Sequence, residues 1–121
     1  MAFDWSNGPL ADGLRHYNAA DFFAAHEDWE SVWLHAPQPE KTFLQALIQV
    51  TVALHHMQRD NRLGCTRLLT AALTKLEAYA NDYGGIAVHL LRDDITAFLQ
   101  LLTANPTSAH LPSPRIQPPA R

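Results

Sequence analysis

The sequence predicts an all-α domain, a compact bundle of about five helices made of stacked helical hairpins. Three observations predict it. Apolar residues recur at three- and four-residue intervals over most of the chain, the period of a helix packed on one side. Pro37, Pro39 and the pair Gly84-Gly85 punctuate those periodic runs. The one β-branched run, Val50-Thr51-Val52, has flanks of helical period, so no strand is expected.

Taken in order, residues 1–8 form a short leader whose Phe3 and Trp5 are expected to pack back onto the domain. Pro9 suits the first turn of a helix, where its missing N–H costs nothing. That helix covers about 9–17, with Leu10, Leu14 and Tyr17 on one face. Asp21 is placed to accept backbone N–H groups at the start of a second helix, which runs to about residue 34. Phe22, His26, Trp29 and Trp33 form its stripe. The third helix, about 39–59, is apolar nearly all round from Phe43 to Leu54, which marks an element surrounded by others. A fourth helix is expected over about 63–81 and a fifth over about 86–102. The domain is thus placed at 9–104 and a tail at 105–121. Five of the eight prolines lie from Pro106 onward, so the tail is expected to be extended or disordered. Asn18 with the 22–33 helix also echoes Asn61 with the 65–76 helix, a pattern similar to helix-turn-helix repeats of the tetratricopeptide kind.

Composition narrows the functional classes. The 121 residues are 47% hydrophobic and 17% charged, enough apolar material for one core and too little charge for a disordered chain. The net charge is -3, and the Lys and Arg residues are scattered singly, so no nucleic-acid partner is expected. No apolar run is long enough to span a bilayer and no signal peptide is evident, so no membrane partner is expected. The single cysteine, Cys65, cannot form an internal disulfide, which fits a reducing, cytoplasmic location. It reads as a small buried apolar residue. His16, His35, His89 and His110 show no clustering with acids, and Arg92, Asp93 and Asp94 read as a solvated helix face.

Residues 25–30, Ala-His-Glu-Asp-Trp-Glu, are the most distinctive segment. Residues four apart on a helix lie only about 40° apart around its axis, so His26 and Glu30 reach a common point. Glu27 lies about 100° from His26 and looks sideways or outward. Imidazole plus carboxylate at this spacing is one way to hold a divalent metal or to pair a base with its orienting group. The zinc-protease pattern, His-Glu-x-x-His, is excluded because Glu30 stands where its second His belongs. On the third helix Gln45, Gln49 and His56 share a stripe, with His55 on the next one. Polar groups in so apolar a helix need hydrogen-bond partners when buried. Gln49 with His56 or His55 is therefore expected to face His26 and Glu30. Trp29 and Trp33 also need partners for their indole N–H groups. The cluster reads either as a structural Glu–His–Gln network that fixes helix register, or as a metal, catalytic or ligand-binding site.

The run from Asn18 through Phe22-x-x-Ala25-His26-Glu27-x-Trp29-Glu30, then Trp33, Phe43 to Gln49, His56, Asn61, Gly64 and Leu68-Leu69, resembles domain-of-unknown-function family 309. The resemblance covers about residues 10–76. It implies a small all-helical bundle, and members are often labelled predicted metal-dependent hydrolases. His26, Glu27, Trp29, Glu30, Gln49 and His56 match the family's polar and aromatic positions, while Ala46 stands where the family usually has Gly. On the hydrolase expectation a divalent metal is the candidate cofactor, with His26, Glu30 and His56 as ligands and Glu27 or Glu30 as catalytic carboxylates. Trp29, Trp33, Gln45, Gln49 and His55 then form the surrounding ligand-binding or polar network. The alternative is a non-enzymatic module that binds a protein or small ligand, with a homodimer as the candidate assembly. It predicts an exposed apolar patch drawn from Phe23, Val32 and Trp5.

Overall fold

The structure is a computed structural model that describes residues 1–104 and 111–119. Five α-helices follow one another: α1 Pro9–Asn18, α2 Phe22–Trp33, α3 Glu40–Gln58, α4 Arg62–Leu76 and α5 Val88–Ala104. A short 3-10 turn, Tyr83–Gly85, precedes α5, and no strand forms among the described residues. Each helix packs on the next, α1 on α2, α2 on α3, α3 on α4 and α4 on α5. The long apolar α3 lies innermost, with Phe43, Leu44, Ala46, Leu47, Val50 and Ala53 wholly buried. No helix among the described residues is long and apolar enough to cross a membrane.

Local chemistry sets the helix ends. Pro9 occupies the first turn of α1. Asp21 accepts the Ala24 amide at 3.3 Å, and Asn61 accepts the Gly64 amide at 2.9 Å, so both hairpins enter their second helix through a side-chain cap. Pro39 stands at the N-cap of α3, and the preceding Gln38 reaches in, its Oε1 accepting the Thr42 amide at 3.1 Å and the Thr42 hydroxyl at 2.8 Å. The helix expected over 63–81 stops at Leu76. Arg92 of α5 explains the stop, because its guanidinium donates to the carbonyls of Leu76 (3.1 Å) and Tyr79 (3.0 Å) and to Asn81, taking up acceptors that the helix end leaves open. Arg92 is therefore a helix cap and not part of a solvated face.

α1 approaches α2 closely at Gly13. A Cβ added to Gly13 would collide with the Trp29 indole. Trp29 is fully buried, and its Nε1 donates to the Leu10 carbonyl at 3.1 Å. The leader packs inward: Phe3 stacks on Trp5 and meets Phe43 and Tyr83 edge-on, while Trp5 meets Trp29 at 90°. Trp5 Nε1 donates to the Gly84 carbonyl at 2.7 Å.

The described part of the tail is ordered against the bundle. Residues 111–119 form a strap without helix or strand that bridges α1 and α5. Tyr17 donates its hydroxyl to the Pro114 carbonyl at 2.6 Å, and the Ala87 amide donates to the Gln117 carbonyl at 2.8 Å. Ile116 is 2% exposed and joins the core. The rest of the expected tail, 105–110 with His110 and 120–121, lies outside the described residues.

Candidate functional site

The Asp21 cap fixes the start of α2 and so sets which residues turn inward. Phe22, Ala25 and Trp29 are buried, leaving Phe23, His26 and Glu30 on the opposite, more open side. His26 Nε2 and Glu30 Oε2 stand 3.0 Å apart, with the two side chains 24% and 48% exposed. The other imidazole nitrogen, Nδ1, faces the Phe23 carbonyl at 3.3 Å. The Phe23 ring lies between two imidazoles, its centroid 5.5 Å from His26 of α2 and 5.8 Å from His55 of α3.

The remaining expected site residues take other places. His56 bonds Asn61 at 3.2 Å, beside the cap of α4. Glu27 is exposed and Gln45 is half-buried. Trp33 Nε1 and Gln49 Oε1 are buried without a hydrogen-bond partner among the described residues. Lys41 closes the end of α2, with its ammonium 2.8 Å from the Trp33 carbonyl and 4.2 Å from the Trp33 ring centre.

Two charged contacts went unread in the sequence. His16 Nδ1 lies 2.6 Å from Asp28 Oδ2 and ties α1 to α2, against the expectation that His16 stands apart from acids. Asp94 holds Arg115 of the strap through its guanidinium (2.9 and 3.1 Å) and its backbone amide (2.9 Å), so it is not a merely solvated residue. That fork holds the Asp94 carboxyl below its ordinary range. Burial, with Asp94 nearby, pushes the Tyr17 phenol up. Both contacts join residues far apart in sequence, and no local spacing announces them. Burial pushes the Cys65 thiol up to about 12, as befits an inert core residue.

A protein-bound catalytic zinc ordinarily takes three side-chain donors and a water. Among the described residues no three His, Cys, Asp or Glu side chains form such a group. The His26–Glu30 pair supplies two donors, and His56 does not complete a set with them. The described residues of one chain therefore do not fit a resident catalytic metal. Fold and site define a small all-helical protein of consecutive hairpins that carries a two-membered imidazole–carboxylate pair on an open helix face.

Residues 10–68 match the family model described as "Domain of unknown function (DUF309)". The chain is 36% identical over 69 residues to "Uncharacterized protein YpuF" of Bacillus subtilis (strain 168), an alignment that takes in 55% of this chain. The chain spans 40% of that relative's length. Neither description states an activity, so the hydrolase label gains no support from either.

Proposed function

We propose that the chain is a non-enzymatic helical interaction module that pairs with a second copy of itself through the open face of α2. The order of residues along that face carries this reading. Phe23, His26, Glu30 and Leu34 follow at steps of three, four and four, which places them on one stripe. Phe23 and Leu34 are 54% and 57% exposed. The stripe reads apolar, imidazole, carboxylate, apolar, and so is close to palindromic. When two such helices lie antiparallel about a two-fold axis, Phe23 of one copy faces the second copy's Leu34, and His26 faces Glu30. A self-complementary patch is what an isologous dimer requires. The apolar ends supply burial at about 25 cal/mol per Å², and the polar centre sets register and orientation.

Sedimentation of the full chain tests the pairing. The native chain is expected to self-associate, and Phe23→Asp is expected to leave it monomeric. His26→Glu and Glu30→His each place like groups across the axis and weaken pairing. The double swap, His26→Glu with Glu30→His, restores the complement and with it the dimer. A native chain that stays monomeric at millimolar concentration would sink the proposal, as would a double swap no better than its single parents.

The metal reading retains one specific form. Two paired copies carry two imidazoles and two carboxylates to one axis, the number of donors a tetrahedral zinc takes. Pairing that appears only with added zinc, and is lost in His26→Ala, would favour that form over a metal-free module.

A further inference from the structure

The contacts that hold residues 111–119 are of the kind a protein uses to read a peptide. Three of them engage backbone groups of the strap. The Tyr17 hydroxyl donates to the Pro114 carbonyl, the Ala87 amide donates to the Gln117 carbonyl, and Asp94 Oδ2 accepts the Arg115 amide. Two more read side chains. The Asp94 carboxylate takes the Arg115 guanidinium as a fork, the geometry in which arginine recognition is most specific. Ile116 is buried to 2% exposure, and Pro114 is buried beside it. Pro112, Pro114, Pro118 and Pro119 stiffen the segment before it docks, which lowers the entropy lost on docking.

Among the described residues, the strap does not fill the channel it lies in. On the α5 side a cavity of about 280 Å³ remains, lined by Asp94, Ala97, Phe98 and Leu101 of α5 and by Pro112, Ser113 and Arg115 of the strap. On the α1 side a cavity of about 200 Å³ remains, bounded by Tyr17, Asn18 and Ala20 and again by Ser113. Ser113 is the small residue at the edge of both. Beside Asp94 the wall it faces on α5 is made of Ala97, Phe98 and Leu101, so a larger apolar side chain at this one position gains contact that serine cannot make.

We infer that the channel between α1 and α5 is a peptide-binding site for a partner segment of the pattern aromatic-Pro-Arg-branched aliphatic. The chain's own residues 113–116 occupy it in cis with serine in the aromatic place. Attachment gives the resident strap a high effective concentration, and a trans ligand competes by filling what the strap leaves open. The channel is built by Tyr17, Ala87, Asp94 and Phe98, none of which lies on the Phe23–Leu34 stripe. The two proposals stand or fall separately.

Fluorescence anisotropy with labelled synthetic peptides on the full chain provides the test. The receptor is Arg115→Ala/Ile116→Ala, which weakens the resident strap and keeps the channel. The probes are residues 111–119 as they stand and the same peptide with Ser113→Phe. The native-sequence peptide is expected to bind the variant roughly tenfold or more tightly than the native chain, because the cis competitor is weakened. The Ser113→Phe peptide is expected to bind tighter still, and adding Asp94→Ala to the receptor is expected to remove binding. Should the double variant not fold, Arg115→Ala alone serves as receptor, since that side chain is 53% exposed. No binding of either peptide to a folded receptor would overturn the inference. So would a Ser113→Phe peptide no tighter than the native sequence, or a strap exchanged between copies with no uptake of free peptide.

Discussion

The α1–α2 and α3–α4 hairpins have the same connector and different chemistry. In the first, the backbone amide of Asp21 returns to the His16 carbonyl at 2.8 Å; in the second, forty positions on, that of Asn61 returns to the His56 carbonyl at 2.8 Å. Ala20 and Asp60, the residues before the caps, both take a left-handed conformation, with φ of 60° and 58°. The first residue after each helix-opening position is an exposed apolar one, Phe23 at 54% and Leu63 at 60%. The buried positions also correspond, Ala25 with Cys65 and Trp29 with Leu69. At the open face the match ends. His26 and Glu30 bond each other, whereas Thr66 and Thr70, at the equivalent positions, are linked only by a Thr70 hydroxyl donating to the Thr66 carbonyl. The second hairpin folds without an imidazole–carboxylate pair, so this kind of hairpin does not demand one. That difference argues against reading the pair as a mere requirement of the fold.

The largest effect that separates the hairpins is expected at the helix crossing. Gly13 lies against Trp29 where the second hairpin has Ala53 and Leu69. Gly13→Ala drives a methyl into the indole and is expected to cost about 1–3 kcal/mol in a denaturant titration, despite alanine's better helix propensity. Adding Trp29→Leu makes room and is expected to recover part of that loss. If Gly13→Ala proves neutral, the close approach does not distinguish the two crossings. Removing the second cap, Asn61→Ala, is expected to cost about 1 kcal/mol. Asp21→Ala is expected to cost less, because its cap bond is the longer of the two.

Smaller effects are expected at the connectors. Ala20 carries a side chain in a backbone region that favours glycine, so Ala20→Gly is expected to raise stability by up to about 1 kcal/mol. Asp60→Gly is expected to gain less, since Asp tolerates this conformation better than Ala. Equal gains would mean that the two turns are not held alike. The smallest effect is expected from acid, at the strap, where the Tyr17 hydroxyl of the first hairpin donates to the Pro114 carbonyl. Asp94 has a folded-state pKa below its ordinary value of 3.8. Its contribution to strap docking is therefore complete above that ordinary value and fades as pH falls through the depressed one. A Tyr17 or Trp5 fluorescence titration that changes near neutral pH would contradict this assignment.

The helices were legible because burial imposes a period. The α2 stripe, the all-round apolar α3 and the Pro9, Asp21 and Asn61 signals follow from local chemistry. The hairpin echo was legible too, but in the wrong register: Asn18 was matched with Asn61, whereas the structure aligns Asp21 with it. Of the candidate site, the i,i+4 contact of His26 with Glu30 could be read because one helix carries both. The expected convergence of Gln49 and His56 on that pair required the rotation of one helix against another, which spacing does not encode. The strap was invisible for a related reason. A proline-rich segment has no period, and its anchors, Tyr17 and Asp94, lie 97 and 21 residues from the groups they hold.

Both ends of the molecule fasten to the short connector before α5, the leader through the Gly84 carbonyl and the strap through the Ala87 amide. The Ala87 proton points at the strap's Gln117 carbonyl. Its rate of hydrogen exchange is therefore a clock for strap release, readable at a single amide while the helices stay closed.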